Sequence, residues 1–109
     1  MPTNYKVLGQ SNPSATTATT LYTVPSATQA VVSTIVIANL TASAATFRIA
    51  IRVAGAALAN SQYVAYDVTV GASDSTALTL GITLGATDVI TVYASIASLT
   101  FTAFGSEIS

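Results

Sequence analysis

The chain has no cysteine and no histidine among its 109 residues. Disulfide bonds and zinc sites built on thiolate or imidazole ligands are therefore excluded. The length fits one domain, which is large enough to be stabilised by an apolar core alone. Because cysteine is absent, the sequence does not indicate a redox compartment.

Charged side chains are scarce. They make up 6% of the chain, against about 25% in an ordinary soluble domain. Three basic residues in total cannot form the Lys/Arg stripe that binds nucleic acid phosphates, so we expect no nucleic acid partner. With a net charge of −1, little repels a neighbouring protein surface, and this composition predicts assembly with other subunits.

Apolar residues are abundant, but they do not form a membrane span. The mean hydropathy is +0.66, yet no apolar run approaches the roughly 18–20 residues that a spanning helix needs. The segment Met1–Lys6 lacks the basic start and apolar stretch of a signal peptide. We therefore expect no membrane association and synthesis in the cytoplasm.

A period of two residues is the dominant pattern. From Phe47 to Val53 the bulky apolar residues alternate with smaller or charged ones, and Arg48 and Arg52 fall on the same face. Two further strands are predicted at Asp88–Ile96 and Leu99–Phe104, with a tight hairpin turn between them at residues 97–98.

The remaining strands are shorter or less regular. The segment Ala30–Ala38 is apolar on both faces, which predicts a central strand covered on each side. Gly85–Asp88 has turn chemistry, and Gly55–Asn60 is compatible with a short helix or a loop. The other predicted strands are Tyr5–Gly9, Thr20–Val24, Gln62–Val70 and Ala77–Leu84.

About eight strands with turns between them predict an all-β, single-domain antiparallel β-sandwich, jelly-roll-like fold or small barrel. The polar, proline-containing stretch before the second strand predicts an N-terminal arm or extended segment over residues 1–20. The sandwich domain then covers residues 21–109.

Catalytic motifs are missing. General acid–base catalysis usually recruits histidine, and a nucleophilic serine needs a base and an orienting group that this sequence does not supply. Glycine-rich phosphate loops and metal motifs with fixed ligand spacing are also absent. We therefore expect no enzyme activity and no cofactor.

Two groups of residues have side-chain chemistry that occurs in binding sites. Asp67, Asp74 and Asp88 have the chemistry of calcium ligands, but turn positions and pairing with an arginine explain them better. The tyrosines offer a sugar-binding platform in principle, but Tyr63 and Tyr66 are three residues apart and so should face opposite sides of a strand. Tyrosines at the edge of the core or at an interface are the preferred interpretation.

Several segments carry a resemblance to a known class of protein. Tyr5–Gln10 comes first and is followed by Thr20–Pro25 and by an apolar strand that ends at Asn39. Leu80–Leu84 then precedes Asp88, and the last segment is Phe101–Ile108. The chain resembles small virion structural proteins of tailed bacteriophages over nearly its whole length, in pattern and order and without a single diagnostic motif.

The resemblance implies a role on the virion, most simply as a capsid decoration (cement) protein that binds the outer head surface and stabilises it. The partners would be other virion proteins, above all the major capsid protein, and copies of the same chain in a dimer or trimer. A tail, baseplate or fibre component and a carbohydrate-binding module contacting the host surface remain the alternatives. The predicted interface residues are Tyr5, Lys6, Asn12, Pro13, Arg48 and Arg52.

Overall fold

Nine strands form two antiparallel sheets in a computed structural model that describes residues 3–109. Successive side chains point to opposite sides of each strand, and turns separate the strands. The strands are β1 (Thr3–Ser11), β2 (Thr19–Thr23), β3 (Gln29–Asn39), β4 (Ala45–Arg52), β5 (Tyr63–Val70), β6 (Ser75–Leu78), β7 (Ile82–Leu84), β8 (Val89–Ala94) and β9 (Leu99–Ile108).

The strand pairing is that of a jelly roll. The first sheet has the order β1-β9-β3-β6, with β7 also paired to β3, and the second has the order β2-β8-β4-β5. This is the pattern of a long hairpin rolled into two sheets. Its nested strand pairs are β1–β9, β2–β8, β3–β6/β7 and β4–β5. The predicted all-β sandwich is confirmed, and its jelly-roll form is the one that the pairing selects.

The core lies between the sheets. Phe47 of β4 and Phe101 of β9 are fully buried and meet edge to face, with ring centroids 6.1 Å apart. Ile49 is buried beside Phe47, whereas Arg48 and Arg52 alternate with them on the outer side. The predicted strand and its facing are therefore confirmed, because a one-residue slip would have buried both guanidinium groups.

Two predicted connections differ from the structure. Residues 95–98 do not form a hairpin, since β8 pairs with β2 and β4 in the second sheet while β9 pairs with β1 and β3 in the first. The segment instead crosses from one sheet to the other. The predicted strand Ala77–Leu84 is two strands, β6 and β7, with Gly81 between them at a φ of +64°.

The N-terminal segment belongs to the sandwich and is not a separate arm. β1 pairs with β9 from Thr3, opposite Ile108, to Ser11, opposite Phe101. Leu8 packs against the core, which gives this segment a reason to order. The proposed division at residue 20 is thus corrected for residues 3–20, while residues 1 and 2 lie outside the described part of the chain.

Two glycines permit close backbone contacts around β1 and β9. A Cβ atom on Gly9 would lie 2.2 Å from the Leu21 carbonyl oxygen, so β1 meets β2 of the other sheet where only glycine fits. A Cβ on Gly105 would lie 2.0 Å from the Val31 carbonyl oxygen inside the first sheet. Glycine is required at both positions, because any other residue carries a Cβ atom that would displace the neighbouring strand.

Helical structure is confined to single turns. Val53–Gly55 and Asn60–Gln62 are 3₁₀ turns, so the stretch between them is a loop and not the short helix that its alanines allow. Within residues 3–109, none of the helices has the length and apolar character needed to cross a membrane.

Candidate binding surfaces

The outer side of the first sheet is uncharged. In β3, Val32, Ile35 and Ile37 point inward and are buried, while Val31 and Val36 point outward and are half-buried. Strand register carries this alternation across to β1, β9, β6 and β7, and residues 3–109 place no Lys, Arg, Asp or Glu on the outer side. We call this surface the uncharged face; it consists of Tyr5, Val7, Gln10, Val31, Ser33, Thr34, Val36, Ala38, Ala77, Thr83, Thr100, Thr102, Phe104 and Ser106.

The uncharged face contains an apolar groove. Tyr5 is 84% exposed and Phe104 38% exposed, and both line a shallow groove of about 580 Å³ together with Val31. Lys6, whose ammonium group is paired with Glu107, also lines this groove. The sequence of β3 predicts that other parts of the protein cover both faces of this strand, but within one chain only its inner face is covered. The outer side of β3 is therefore available to another surface.

A polar network closes the sandwich beside this face. Lys6 Nζ lies 2.8 Å from Glu107 Oε1, and the Tyr22 hydroxyl donates a hydrogen bond to Glu107 Oε2. The hydrogen bond from Lys6, followed by that from Tyr22, lowers the pKa of Glu107. Burial and then the Glu107 carboxylate raise the pKa of Tyr22. The network joins β1 and β9 of the first sheet to β2 of the second.

The outer side of the second sheet carries an ordered group of aromatic and charged side chains. Arg48 Nε donates to Asp67 Oδ1 at 2.7 Å, and its guanidinium carbon lies 4.2 Å from the Tyr66 ring centroid and 4.4 Å from that of Tyr93. The hydrogen bond to Asp67 raises the pKa of Arg48. Tyr63 meets Tyr66 edge to face at 5.0 Å. We call these five residues the aromatic cluster.

A bulge in β5 brings Tyr63 and Tyr66 together, so the prediction that they face opposite sides is wrong. Phe47 pairs with Val68 and Ile49 with Ala65, so two steps along β4 match three along β5. A second register shift lies between Ile49 and Ala50 of β4, which pair with Ala65 and Tyr63 of β5. The extra residues reset the alternation, and Asp67 adopts a φ of +51°. Nothing in the period-two pattern signals this bulge.

The predicted interface residues do not form one surface. Tyr5 lies on the uncharged face, Lys6 in the polar network and Arg48 in the aromatic cluster on the opposite side of the sandwich. Arg52 is engaged within the chain, since its Nε donates to the Ala56 carbonyl at 2.7 Å and its Nη2 to that of Gly55 at 3.0 Å.

Asn12 and Pro13 have structural roles in this fold. Asn12 Nδ2 donates to the carbonyls of Ala97 and Leu99 at 2.9 and 2.8 Å, which ties the β1–β2 connection to the crossover between the sheets. Pro13 is buried, and its prediction as a contact residue is therefore corrected, because a partner cannot reach it.

The three aspartates considered as calcium ligands lie apart. Asp67 pairs with Arg48, while Asp74 Oδ1 accepts a hydrogen bond from the Ser75 amide at 2.8 Å. Asp88 accepts from the amides of Gly85 and Ala54 at 2.9 and 2.8 Å. Residues 3–109 contain no group of three or more acidic side chains placed to hold a metal ion.

Comparison with protein-family models and with curated proteins gives no match for the chain. A jelly roll alone does not define a function, because this architecture serves capsid domains, lectins and cupins alike. The function must therefore be inferred from the two outer faces.

Proposed function

We propose that the chain is a non-catalytic structural protein of a virus particle, and that it coats the head of a tailed bacteriophage as a capsid decoration protein. The observation that carries the proposal is the uncharged face, with the apolar outer side of β3 at its centre. The resemblance in sequence to small phage virion proteins agrees with it, and so does the use of jelly rolls in viral capsid domains.

An uncharged face suits repeated contacts between subunits. Burying a charge requires a paired partner on the other surface, whereas covering the side chains of Val31, Val36 and Ala38 requires none. Valine, serine and threonine also lose little side-chain entropy when they are covered. The same face can thus dock at many equivalent positions of a lattice.

The strand edges favour contact through faces over contact through edges. β1 has a bulge between Val7 and Gly9 and an inward-pointing Lys6, and β5 has the bulge at Asp67. The other outer strand of the first sheet, β6, has four residues. Bulges, inward charges and short strands are the features that prevent edge-to-edge pairing.

Stabilisation of the head would follow from mass action. A protein that binds the assembled lattice and not the free subunits shifts the equilibrium toward the lattice. The major capsid protein is the favoured partner, with the chain itself bound as a dimer or trimer. In this proposal the protein works on the virion after synthesis in the host cytoplasm.

Electron cryomicroscopy of particles from the phage that encodes the chain tests this proposal. We expect density for the jelly roll over the head, in hundreds of copies, with the uncharged face against the shell. Particles without such density on the head would contradict the proposal. Density in a handful of copies on the tail would instead support the alternative role as a tail, baseplate or fibre component.

A pair of aspartate substitutions tests which face binds. Phe104→Asp places a charge in the uncharged face, and an unpaired buried charge weakens an interface by about 2–5 kcal/mol, or roughly thirtyfold or more in affinity. Val64→Asp, at a 47% exposed position of the second sheet, is the matched control. Equal binding of both variants to undecorated heads, measured by co-sedimentation, would exclude the uncharged face as the contact.

A further inference from the structure

We propose that the aromatic cluster on the second sheet is a binding site for a neutral saccharide. The cluster consists of three tyrosines and one Arg–Asp pair on a single outer surface, brought there by the bulge in β5. It lies on the opposite side of the sandwich from the uncharged face. The saccharide proposal therefore does not depend on the proposed virion role.

The charge of the cluster selects the chemistry of the ligand. Arg48 and Asp67 together are neutral, and their hydrogen bonds join Nε to Oδ1 at 2.7 Å and Nη2 to Oδ2 at 3.4 Å. An anionic ligand would meet the Asp67 carboxylate, and a cationic ligand would meet the Arg48 guanidinium. A sugar hydroxyl donates and accepts hydrogen bonds and so suits donors and acceptors placed side by side.

The aromatic rings supply the apolar part of such a site. Tyr66 keeps 55% of its surface exposed, and Tyr63 stands almost perpendicular to it, at 85°. A pyranose presents C–H groups on the faces of its ring and hydroxyls at its rim. The exposed Tyr66 ring, beside the half-buried Tyr63 ring and next to paired polar groups, matches both parts of this ligand, since tyrosine combines an apolar body with a polar tip.

The cluster is also held in place before any ligand arrives. The guanidinium of Arg48 lies over two rings and is fixed by a carboxylate, so little side-chain freedom remains to be lost on binding. Asp67 has a left-handed backbone conformation, with a φ of +51°. Aspartate adopts this conformation more readily than most residues, and here its carboxylate is held against the Arg48 guanidinium.

A glycan array that contains neutral and acidic oligosaccharides, probed with the full-length chain displayed in many copies on beads, tests the proposal. We expect binding to neutral glycans, reduced roughly tenfold or more by Tyr66→Ala through loss of the ring contact. Tyr5→Ala is the matched control, because Tyr5 is an exposed tyrosine on the opposite sheet. It should bind as the unmodified chain does.

Ring-proton NMR with the best neutral oligosaccharide of the array locates the site within the same protein. The chain has five tyrosines, and the signals of Tyr63, Tyr66 and Tyr93 should shift on titration while that of Tyr5 does not. Asp67→Asn, which keeps the shape of the side chain and removes its charge, provides a second variant if Tyr66→Ala fails to fold. It too should weaken binding.

Three outcomes would overturn the proposal. The first is an array without any neutral glycan bound, and the second is binding restricted to acidic glycans, which contradicts the charge argument. The third is neutral-glycan binding that Tyr66→Ala and Asp67→Asn leave unchanged, which would move the site elsewhere.

Discussion

The two outer faces of this sandwich differ in the kinds of side chain that they expose. The outer side of the first sheet presents valine, threonine, serine, Tyr5 and Phe104 without a charge among residues 3–109, whereas the second presents Arg48, Asp67 and Arg52 with three tyrosines. Three of the seven charged side chains in the sequence thus lie on one sheet. In a chain with so few charges, this segregation leaves one uncharged outer face and one that carries an Arg–Asp pair beside three tyrosines.

The comparison also shows how one core supports two kinds of surface. Phe47 and Phe101 bind the sheets together from inside, so each strand can change its outward residues without altering the core. Both sheets contain bulges, at Val7–Gly9 and Val32–Thr34 in the first and in β5 of the second. Only the bulge in β5 gathers aromatic and charged side chains on an outer face.

Phe101→Ala should have the largest effect on the free energy of unfolding. Phe101 is fully buried on β9, and its loss leaves a cavity that costs about 3–5 kcal/mol. Phe104→Ala, three residues along the same strand and on the uncharged face, should cost about 1 kcal/mol or less. Chemical denaturation measures both, and similar losses would contradict the assignment of Phe104 to an outer surface.

Gly105→Ala should have the next largest effect and should act on the first sheet. The new methyl group would meet the Val31 carbonyl oxygen at 2.0 Å, and the resulting backbone shift costs about 1–3 kcal/mol. At Gly71 a Cβ would meet only Asp74 side-chain atoms, at 3.7 Å or more, so Gly71→Ala is the control. Thermal unfolding of the two variants should differ clearly, and equal midpoints would argue against close β3–β9 contact.

Tyr22→Phe should remove a link between the sheets. A hydrogen bond to a charged group contributes about 1.5–3 kcal/mol, so we expect a loss at or below the lower end of this range for the partly exposed Glu107 network. Tyr5→Phe changes an 84% exposed tyrosine on the uncharged face and should leave stability unchanged. A loss in Tyr5→Phe equal to that in Tyr22→Phe would refute the assignment.

Tyr22 should also make the stability of the fold decrease at alkaline pH. The folded state raises the pKa of Tyr22, so the folded state holds its proton more tightly than the unfolded chain, whose tyrosine pKa is about 10. The stability that this contributes is complete below about pH 10 and is lost as the pH rises toward the folded pKa. Tyr22→Phe should lack this part of the pH profile, and a profile that keeps it would point to another group.

The smallest effect should come from acidification. The folded state lowers the pKa of Glu107, so its contribution is present above the unfolded value of about 4.3 and is lost as the pH falls below it. Glu107→Gln should flatten this part of the profile relative to the unmodified chain. Unfolding midpoints measured between pH 6 and pH 3 test the difference, and parallel profiles would exclude Glu107 as the group responsible.

Local pattern was sufficient to predict the class of fold and much of the core. Phe47 and Ile49 alternate with Arg48 and Arg52, so the facing of β4 follows from the cost of burying two guanidinium groups. The apolar run of β3 likewise indicates a central strand. These features depend on neighbouring residues, which the sequence displays directly.

Pairing between distant strands was beyond local pattern. The short segment at residues 97–98 has the length of a hairpin turn, yet the nested pairing sends β8 and β9 into different sheets. The aromatic cluster was missed for a related reason, since the bulge at Asp67 arises from the match between β4 and β5. A left-handed aspartate has no signature in a single sequence.

The pairing of β1 with β9 places Thr3 directly opposite Ile108. Their Cα atoms are therefore about 5 Å apart, as in any antiparallel pair, and both leave the fold at one corner of the first sheet. Residues 3–108 can accordingly be grafted into a surface loop of another protein, or circularly permuted with a short linker between these two positions, because both insertion points lie close together.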